Sequence, residues 1–320
     1  MIKSVDNGHL INKINELRKQ KNAIILAHYY QNPEIQDISD FIGDSLALSQ
    51  QAAETDADII VFAGVNFMAE TAKILSPSKK VLIPDPEAGC SLADSCKADE
   101  FRKFKENYPG YTVVAYVNTT AEIKTMTDIV CTSTNALQII NSLPKDEKII
   151  FAPDKNLGDY VKSKSGRSDM VIWNGACHVH EKFSLSRILE LKKEYPGAEI
   201  LSHPECKKHI LMVSDYVGST SILLSYSKKS DKDVFIVATE SGILHQMQKE
   251  SPKKTFIPAP PDDSTCACND CEYMKTITLQ KILDSLDKGM YEINIDEKTR
   301  VLAEKPIRRM LDMSKQLNLI

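Results

Sequence analysis

Three cysteines, Cys90, Cys177 and Cys271, each follow an apolar run, at intervals of 87 and 94 residues in a chain of 320 that holds eight cysteines. Thiolates are soft donors suited to iron–sulfur clusters and zinc. One thiolate from each of three similar segments would suit a cluster with one coordination position left open, where a metal can act as a Lewis acid on a substrate. A lone cysteine is most often a small buried apolar residue. Recurrence at one place in three copies of a pattern argues instead for a ligand set. Cys96, Cys131 and Cys206 have no partner at this spacing and are assigned to packing. The run CACNDC at 266–271 resembles half of a zinc site, but no second C-x-x-C follows to complete it. Cys271 is taken as the third ligand; Cys266 and Cys268 are left open between a redox pair, spare ligands and bystanders.

Two more polar positions recur with the same period. Ser45, Ser133 and Ser219 with Thr220 open amphipathic stretches, at steps of 88 and 86 residues. A hydroxyl at a helix start usually just caps it. Three such starts converging on a cavity would make an anion site for several carboxylates or a phosphate. The first apolar run of each copy ends in His28, Tyr29 and Tyr30, then Tyr116 and Asn118, then His203 and Glu205. These are proton carriers, and a His-x-Glu pair near a metal can run acid and base steps. His178 and His180, beside Cys177, either line the cavity or hydrogen-bond to the ligands. His9 and His245 sit in helical contexts and are read as structural.

The elements that must position these residues follow from the same repeat. Each copy carries continuous Val-, Ile- and Ala-rich runs, such as IILAHYYQ, VVAYVN and EILSHPE, separated by helix-like stretches such as SLALSQQAAE and NALQIINSL. Unbroken apolar strands alternating with helices predict parallel sheets covered on both faces. Ligands of such sheets collect beyond the carboxyl ends of the strands. A period this long is not that of a solenoid. The expected fold is therefore α/β: three similar domains with short parallel sheets flanked by helices, related by pseudo-threefold symmetry around a central site. The boundaries fall at 1–108, 109–195 and 196–275, with 276–320 forming C-terminal helices that close the assembly and pack on the first domain.

At 42% apolar and 26% charged residues the chain is globular in composition. About 75% of its unfolded surface can be buried at this length. A net charge of −4 gives no electrostatic case for nucleic acid or an anionic membrane. The first 22 residues lack the apolar core of a signal peptide, no run spans a bilayer, and a cytoplasmic location is expected. G-x-x-x-x-G-K-[ST], G-x-G-x-x-G and H-E-x-x-H are all missing, so nucleotide binding and zinc-protease chemistry have no support.

The segments AHYYQ, GDSLALSQ, PDPEAGCSLADSC, AYVNTTAEIK, CTSTNA, FAPDKNLG, WNGACHVHE, HPEC, VGSTS, ATESGILH and CEYMK are similar to motifs of the quinolinate synthases, iron–sulfur enzymes of the de novo NAD pathway. The resemblance runs from about residue 20 to the C-terminus. It implies a transferase that condenses iminoaspartate with dihydroxyacetone phosphate to quinolinate, releasing phosphate and two waters. It also implies one [4Fe–4S] cluster per chain on Cys90, Cys177 and Cys271. The family's substrate-site motifs fall on His28, Tyr30, Ser45, Tyr116, Asn118, Ser133, His180, His203, Glu205, Ser219 and Thr220. By similarity the hydroxyls hold substrate carboxylates, and Tyr30, Tyr116, His203 and Glu205 serve catalysis. The last cysteine motif departs from the family pattern: its spacing is C-x-C-x-x-C, and Glu272 stands where relatives have proline. The implied partners are the two small substrates and, in passing, the enzyme that supplies iminoaspartate, in a monomer or homodimer.

A non-catalytic iron–sulfur carrier or sensor would want a fourth cysteine ligand and no converging acid, base and anion groups. A zinc protein built on CACNDC would fold without Cys90 and Cys177.

Overall fold

The computed structural model describes residues 7–262 and 269–319. The strands in chain order are β1 Ala23–His28, β2 Phe41–Gly43, β3 Ile59–Ala63, β4 Lys80–Leu82, β5 Thr112–Tyr116, β6 Ile129–Cys131, β7 Ile149–Ala152, β8 Met170–Ile172, β9 Glu199–Ser202, β10 Tyr216–Val217, β11 Val234–Ala238 and β12 Thr255–Pro258. They form three four-stranded sheets ordered β2-β1-β3-β4, β6-β5-β7-β8 and β10-β9-β11-β12. Every pairing within them is parallel. Three similar α/β repeats flanked by helices were expected from the apolar runs, and the sheets have that form. All four residues of β7 are buried, as a strand covered on both faces requires.

One device recurs in all three sheets. Asp40, Asp128 and Asp215, each just before its sheet's edge strand, accept the N–H of Ile25, Val113 and Ile200 at 2.8 Å. Each also donates its own N–H to the carbonyl of the same residue, at 3.0, 3.0 and 2.9 Å. A two-way tie of this kind pins the entry of the edge strand against the central one. It therefore sets where the following hydroxyl-bearing turn begins.

Two compact units divide the chain: Met1–Cys90 with Glu272–Val301, and Ser91–Cys271 with Leu302–Ile320. In the first, helix Asn7–Gln20 packs on helix Leu279–Lys288, and Lys21 Nζ caps that helix's C-terminal end at the carbonyls of Leu286 and Asp287. The second unit holds the other two sheets. The end of helix Glu297–Gln316 belongs to it, where Ser314 Oγ accepts from Asn135 Nδ2 at 2.9 Å. No helix of the described residues is long and apolar enough to cross a membrane.

Candidate active site

The two sheets of the second unit turn their carboxyl-end loops toward each other. Tyr116 ends β5, Ser133 follows β6, Cys177 follows β8, His203 follows β9 and Ser219 follows β10. Bonds cross between the two loop sets at several points. Tyr116 Oη donates to Glu205 Oε1 at 2.6 Å, His203 Nε2 and Ser133 Oγ lie 3.1 Å apart, and Thr134 Oγ1 donates to Ser219 Oγ at 2.8 Å. Asn156, in helix Lys155–Ser165 after β7, donates to the carbonyl of Glu205 at 3.0 Å and to Glu181 Oε1 at 2.7 Å.

Glu205 is the centre of this group. It is 3% exposed, as are Thr220 and His180, while His203 is 2% exposed. His180 Nδ1 stands 3.1 Å from its Oε2 and His203 Nδ1 3.7 Å from its Oε1. The His180 contact is off the hydrogen-bond axis, since that nitrogen has no hydrogen-bond partner among the described residues. It is an ion pair only when the imidazole is protonated. The two imidazoles stack at 4.7 Å and 27°, and Thr239 Oγ1 lies 3.0 Å from His180 Nε2. Donor atoms of Cys177, His180 and Glu205 all fall within 4.8 Å of one another.

Burial works to raise the Glu205 pKa, but the charges that His180 and His203 carry when protonated, with the hydrogen bond from Tyr116, outweigh it and bring it down to about 2. Asp154 goes the other way. Burial first, and then the negative charge of Glu205, push its carboxyl well above the usual range. The N–H groups of Leu157, Cys177 and Asn156 act against that rise, so the Asp154 carboxyl is committed to the backbone. Asn118 Oδ1, on the loop after β5, is buried with no hydrogen-bond partner among the described residues. Such an atom costs about 1–3 kcal/mol unless something else donates to it.

In the first unit, His28 is 4% exposed and ends β1. Its Nδ1 accepts the N–H of Tyr30 at 3.2 Å, and the two rings meet edge-on at 4.4 Å. Lys275 Nζ donates to the Tyr30 carbonyl at 2.7 Å. Ser45 opens helix Ser45–Glu54, but the cap is Asp44, whose side chain accepts from the Ala47 N–H. Ser219 does occupy the cap position of helix Thr220–Lys229, and its side chain makes no capping bond. Neither the Ser45 nor the Ser219 hydroxyl is therefore spent on capping, and Ser219 Oγ meets the hydroxyls of Thr134 and Ser221 instead.

Residues 12–312 match the family model of the quinolinate synthetase A protein. The chain belongs to that family. The quinolinate synthase of Rippkaea orientalis is 59% identical over 305 residues, covering 95% of this chain and 93% of that one. That of Thermosynechococcus vestitus is 57% identical, covering 95% of each chain. That of Chloroherpeton thalassium is 55% identical over 306 residues, covering 96% and 95%. As a quinolinate synthase family member with relatives this similar along nearly its whole length, the chain is an enzyme.

The donor chemistry of the cysteines fits the cluster implied by the family resemblance. Cys90, Cys177 and Cys271 are half-buried, whereas Cys96, Cys131 and Cys206 are fully buried. Cys96 packs among Phe101, Val113 and Ile150, and Cys206 among Ile188, Ile200 and Ile236. Burial pushes the Cys96 thiol up to about 12 and the Cys131 and Cys206 thiols higher than their usual value. A thiol must lose its proton to bind metal, so these three make poor ligands. Cys266 and Cys268 lie outside the described residues.

Sequence reasoning missed Asp154, Asn156, Thr239 and Glu240. Asp154 and Glu240 carried a signal in the sequence: each is an acidic residue two places after the alanine that ends a wholly apolar run. The structure leaves both 0% exposed.

Proposed function

We propose that the chain condenses iminoaspartate with dihydroxyacetone phosphate to quinolinate, with release of phosphate and two waters, in the cytoplasm. The observation that carries this reading is Glu205, buried against Tyr116, His180 and His203 with a thiol from Cys177 alongside. A carboxylate there, anionic at neutral pH and in contact with two imidazoles and a phenol that can pass its proton on, is a base for the protons that leave as the ring forms. Tyr116 fixes one oxygen of that carboxylate. His203 exchanges protons with substrate while the Ser133 hydroxyl holds its ring in place, and Tyr30 supplies a third proton carrier. The hydroxyls of Ser45, Ser133, Ser219 and Thr220 hold the substrate's carboxylates, and His28 and His180 are further substrate-binding side chains. Asn118 Oδ1, with no donor among the described residues, accepts from the nitrogen of the substrate.

Cys90, Cys177 and Cys271 are the residues that would hold the [4Fe–4S] cluster. When bound, such a cluster supplies Lewis acidity at the iron that carries no cysteine, which helps hydroxyl groups leave as water.

Purification without oxygen tests the reading. The expected product is brown, contains close to four irons per chain, turns over the two substrates to quinolinate, and loses its colour in Cys90→Ala and Cys177→Ala. Bound zinc, or a chromophore intact in either variant, overturns it.

A further inference from the structure

Two buried carboxylates that take no part in the proton transfers above hold the backbone at two of the proposed ligands. Asp154 follows β7 and Glu240 follows β11, each two residues beyond an alanine, Ala152 or Ala238, that occupies the same register in its sheet. Asp154 Oδ2 accepts the N–H of Cys177 at 3.2 Å, and its Oδ1 accepts the N–H of Leu157 at 2.7 Å. Glu240 Oε1 accepts the N–H of Cys271 at 3.1 Å, and its Oε2 accepts the N–H of Gly242 at 2.7 Å. Each side chain is 0% exposed. The corresponding place in the first repeat is Val65, whose side chain cannot accept a hydrogen bond.

The segments beside the cysteines are tied further. Ser91 Oγ, one residue after Cys90, lies 2.6 Å from Nδ1 of His178, one residue after Cys177. Asn269 Nδ2, two residues before Cys271, donates to the carbonyl of Val179 at 3.3 Å. Ser241 Oγ bonds to Asp270 Oδ1. The Cys177 loop is also laced to the end of β7, where Gly175 N–H donates to the Pro153 carbonyl at 3.1 Å and Lys155 N–H to the Gly175 carbonyl at 2.8 Å.

We infer that Asp154 and Glu240 are positioning residues for the metal centre: each locks the main chain of one ligand cysteine to a central strand of its own sheet, so the thiols are set before metal arrives. The inference rests on the reading of Cys177 and Cys271 as cluster ligands. A carboxyl suits the task at this length, because either of its oxygens can accept a hydrogen bond, whereas the NH₂ of an amide cannot. Asp154→Asn can keep the bond to Leu157 N–H but then turns its NH₂ on the N–H of Cys177. Glu240→Gln is in the same position between Gly242 and Cys271. These substitutions separate local folding from ligand placement with almost no change in shape.

The experiment uses the full chain purified without oxygen and follows loss of the iron–sulfur chromophore to an excess of an iron chelator. Asp154→Asn and Glu240→Gln are each expected to speed iron release about 10- to 100-fold, the usual cost of removing a partner of a metal ligand, with circular dichroism unchanged. Asp128→Asn is the control. It weakens an equivalent carboxylate tie to Val113 N–H remote from any proposed ligand, so it should lower thermal stability and leave iron release as it was. In the unsubstituted chain, the amides of Cys177 and Cys271 should exchange with deuterium slowly, a measurement that needs no variant to fold. Folded variants that hold iron as tightly as the parent overturn the inference while leaving the function intact, and so do fast-exchanging amides. An unsubstituted chain with no chromophore overturns the functional reading, and the role of both carboxylates with it.

Discussion

Glu205→Gln removes one charge and changes almost nothing in shape, which makes it the sharpest test of the site. The carboxylate is fully enclosed, with Tyr116 at 2.6 Å and the two imidazoles at 3.1 and 3.7 Å. Each hydrogen bond to a buried charge stabilises by about 1.5–3 kcal/mol, while burying the charge costs several kcal/mol. The two terms largely cancel, so the melting temperature should move by less than about 6 °C, given at most roughly 2–4 °C per kcal/mol for a chain of more than 150 residues. Catalysis has no such cancellation. Loss of a general base costs about 10²- to 10⁴-fold in kcat, or roughly 2.7–5.5 kcal/mol of barrier. The pH dependence adds a check on sign. A pKa lowered from 4.5 to about 2 gives a stabilising contribution that is present above the unfolded value and lost as pH falls through the folded one. Between pH 5 and 8 this group stays anionic, and neither stability nor kcat/KM should follow its titration. The assay is quinolinate formation under anaerobic conditions, with iron content measured on the same sample. Activity within threefold of the parent refutes the role of base. Loss of iron along with activity also refutes it, because Glu205 would then belong to the group that holds the metal.

Asn118→Ala should raise KM by about tenfold or more without lowering the melting temperature, since it removes an acceptor that has no donor among the described residues; a clear drop in stability with KM unchanged would mean that the atom serves the fold. Gly175→Ala places a Cβ against Ser95 Oγ and 2.6 Å from the Pro153 carbonyl, an overpacking worth about 1–3 kcal/mol, and calorimetry should find the melting temperature down by several degrees. Iodoacetamide at pH 8 on chain stripped of metal should label Cys90, Cys177 and Cys271 and spare Cys96, Cys131 and Cys206. Raising the Cys96 pKa from 9.0 to about 12 leaves it about a thousandfold less thiolate, and peptide mapping that finds it alkylated without denaturant would contradict its burial.

The repeat was legible because apolar runs that are buried on both faces cannot be disguised: IIVFA, IIFA and VFIVA read as strands wherever they stand, and the residue after each run is carried to the sheet's edge. Tyr116, His203 and Glu205 were found that way, as polar side chains at strand ends. What the sequence hid were carboxylates whose work is done on the backbone. Asp40, Asp128 and Asp215 look like ordinary surface aspartates between helix and strand, and only their bonds to Ile25, Val113 and Ile200 mark them as pins. Asp154 and Glu240 were hidden for a further reason. A search for equivalent positions rewards identity, and here the three copies hold Val65, Asp154 and Glu240. Backbone hydrogen bonding has no residue signature of its own, since any N–H serves as donor, so the functional meaning of an acidic residue after an apolar run depends on which amide the fold delivers to it. In the second and third repeats that amide belongs to a cysteine. The repeat thus places its cysteines by main-chain geometry, and its unlike positions, Asp154 and Glu240 no less than Glu205, are where one copy does something that another does not.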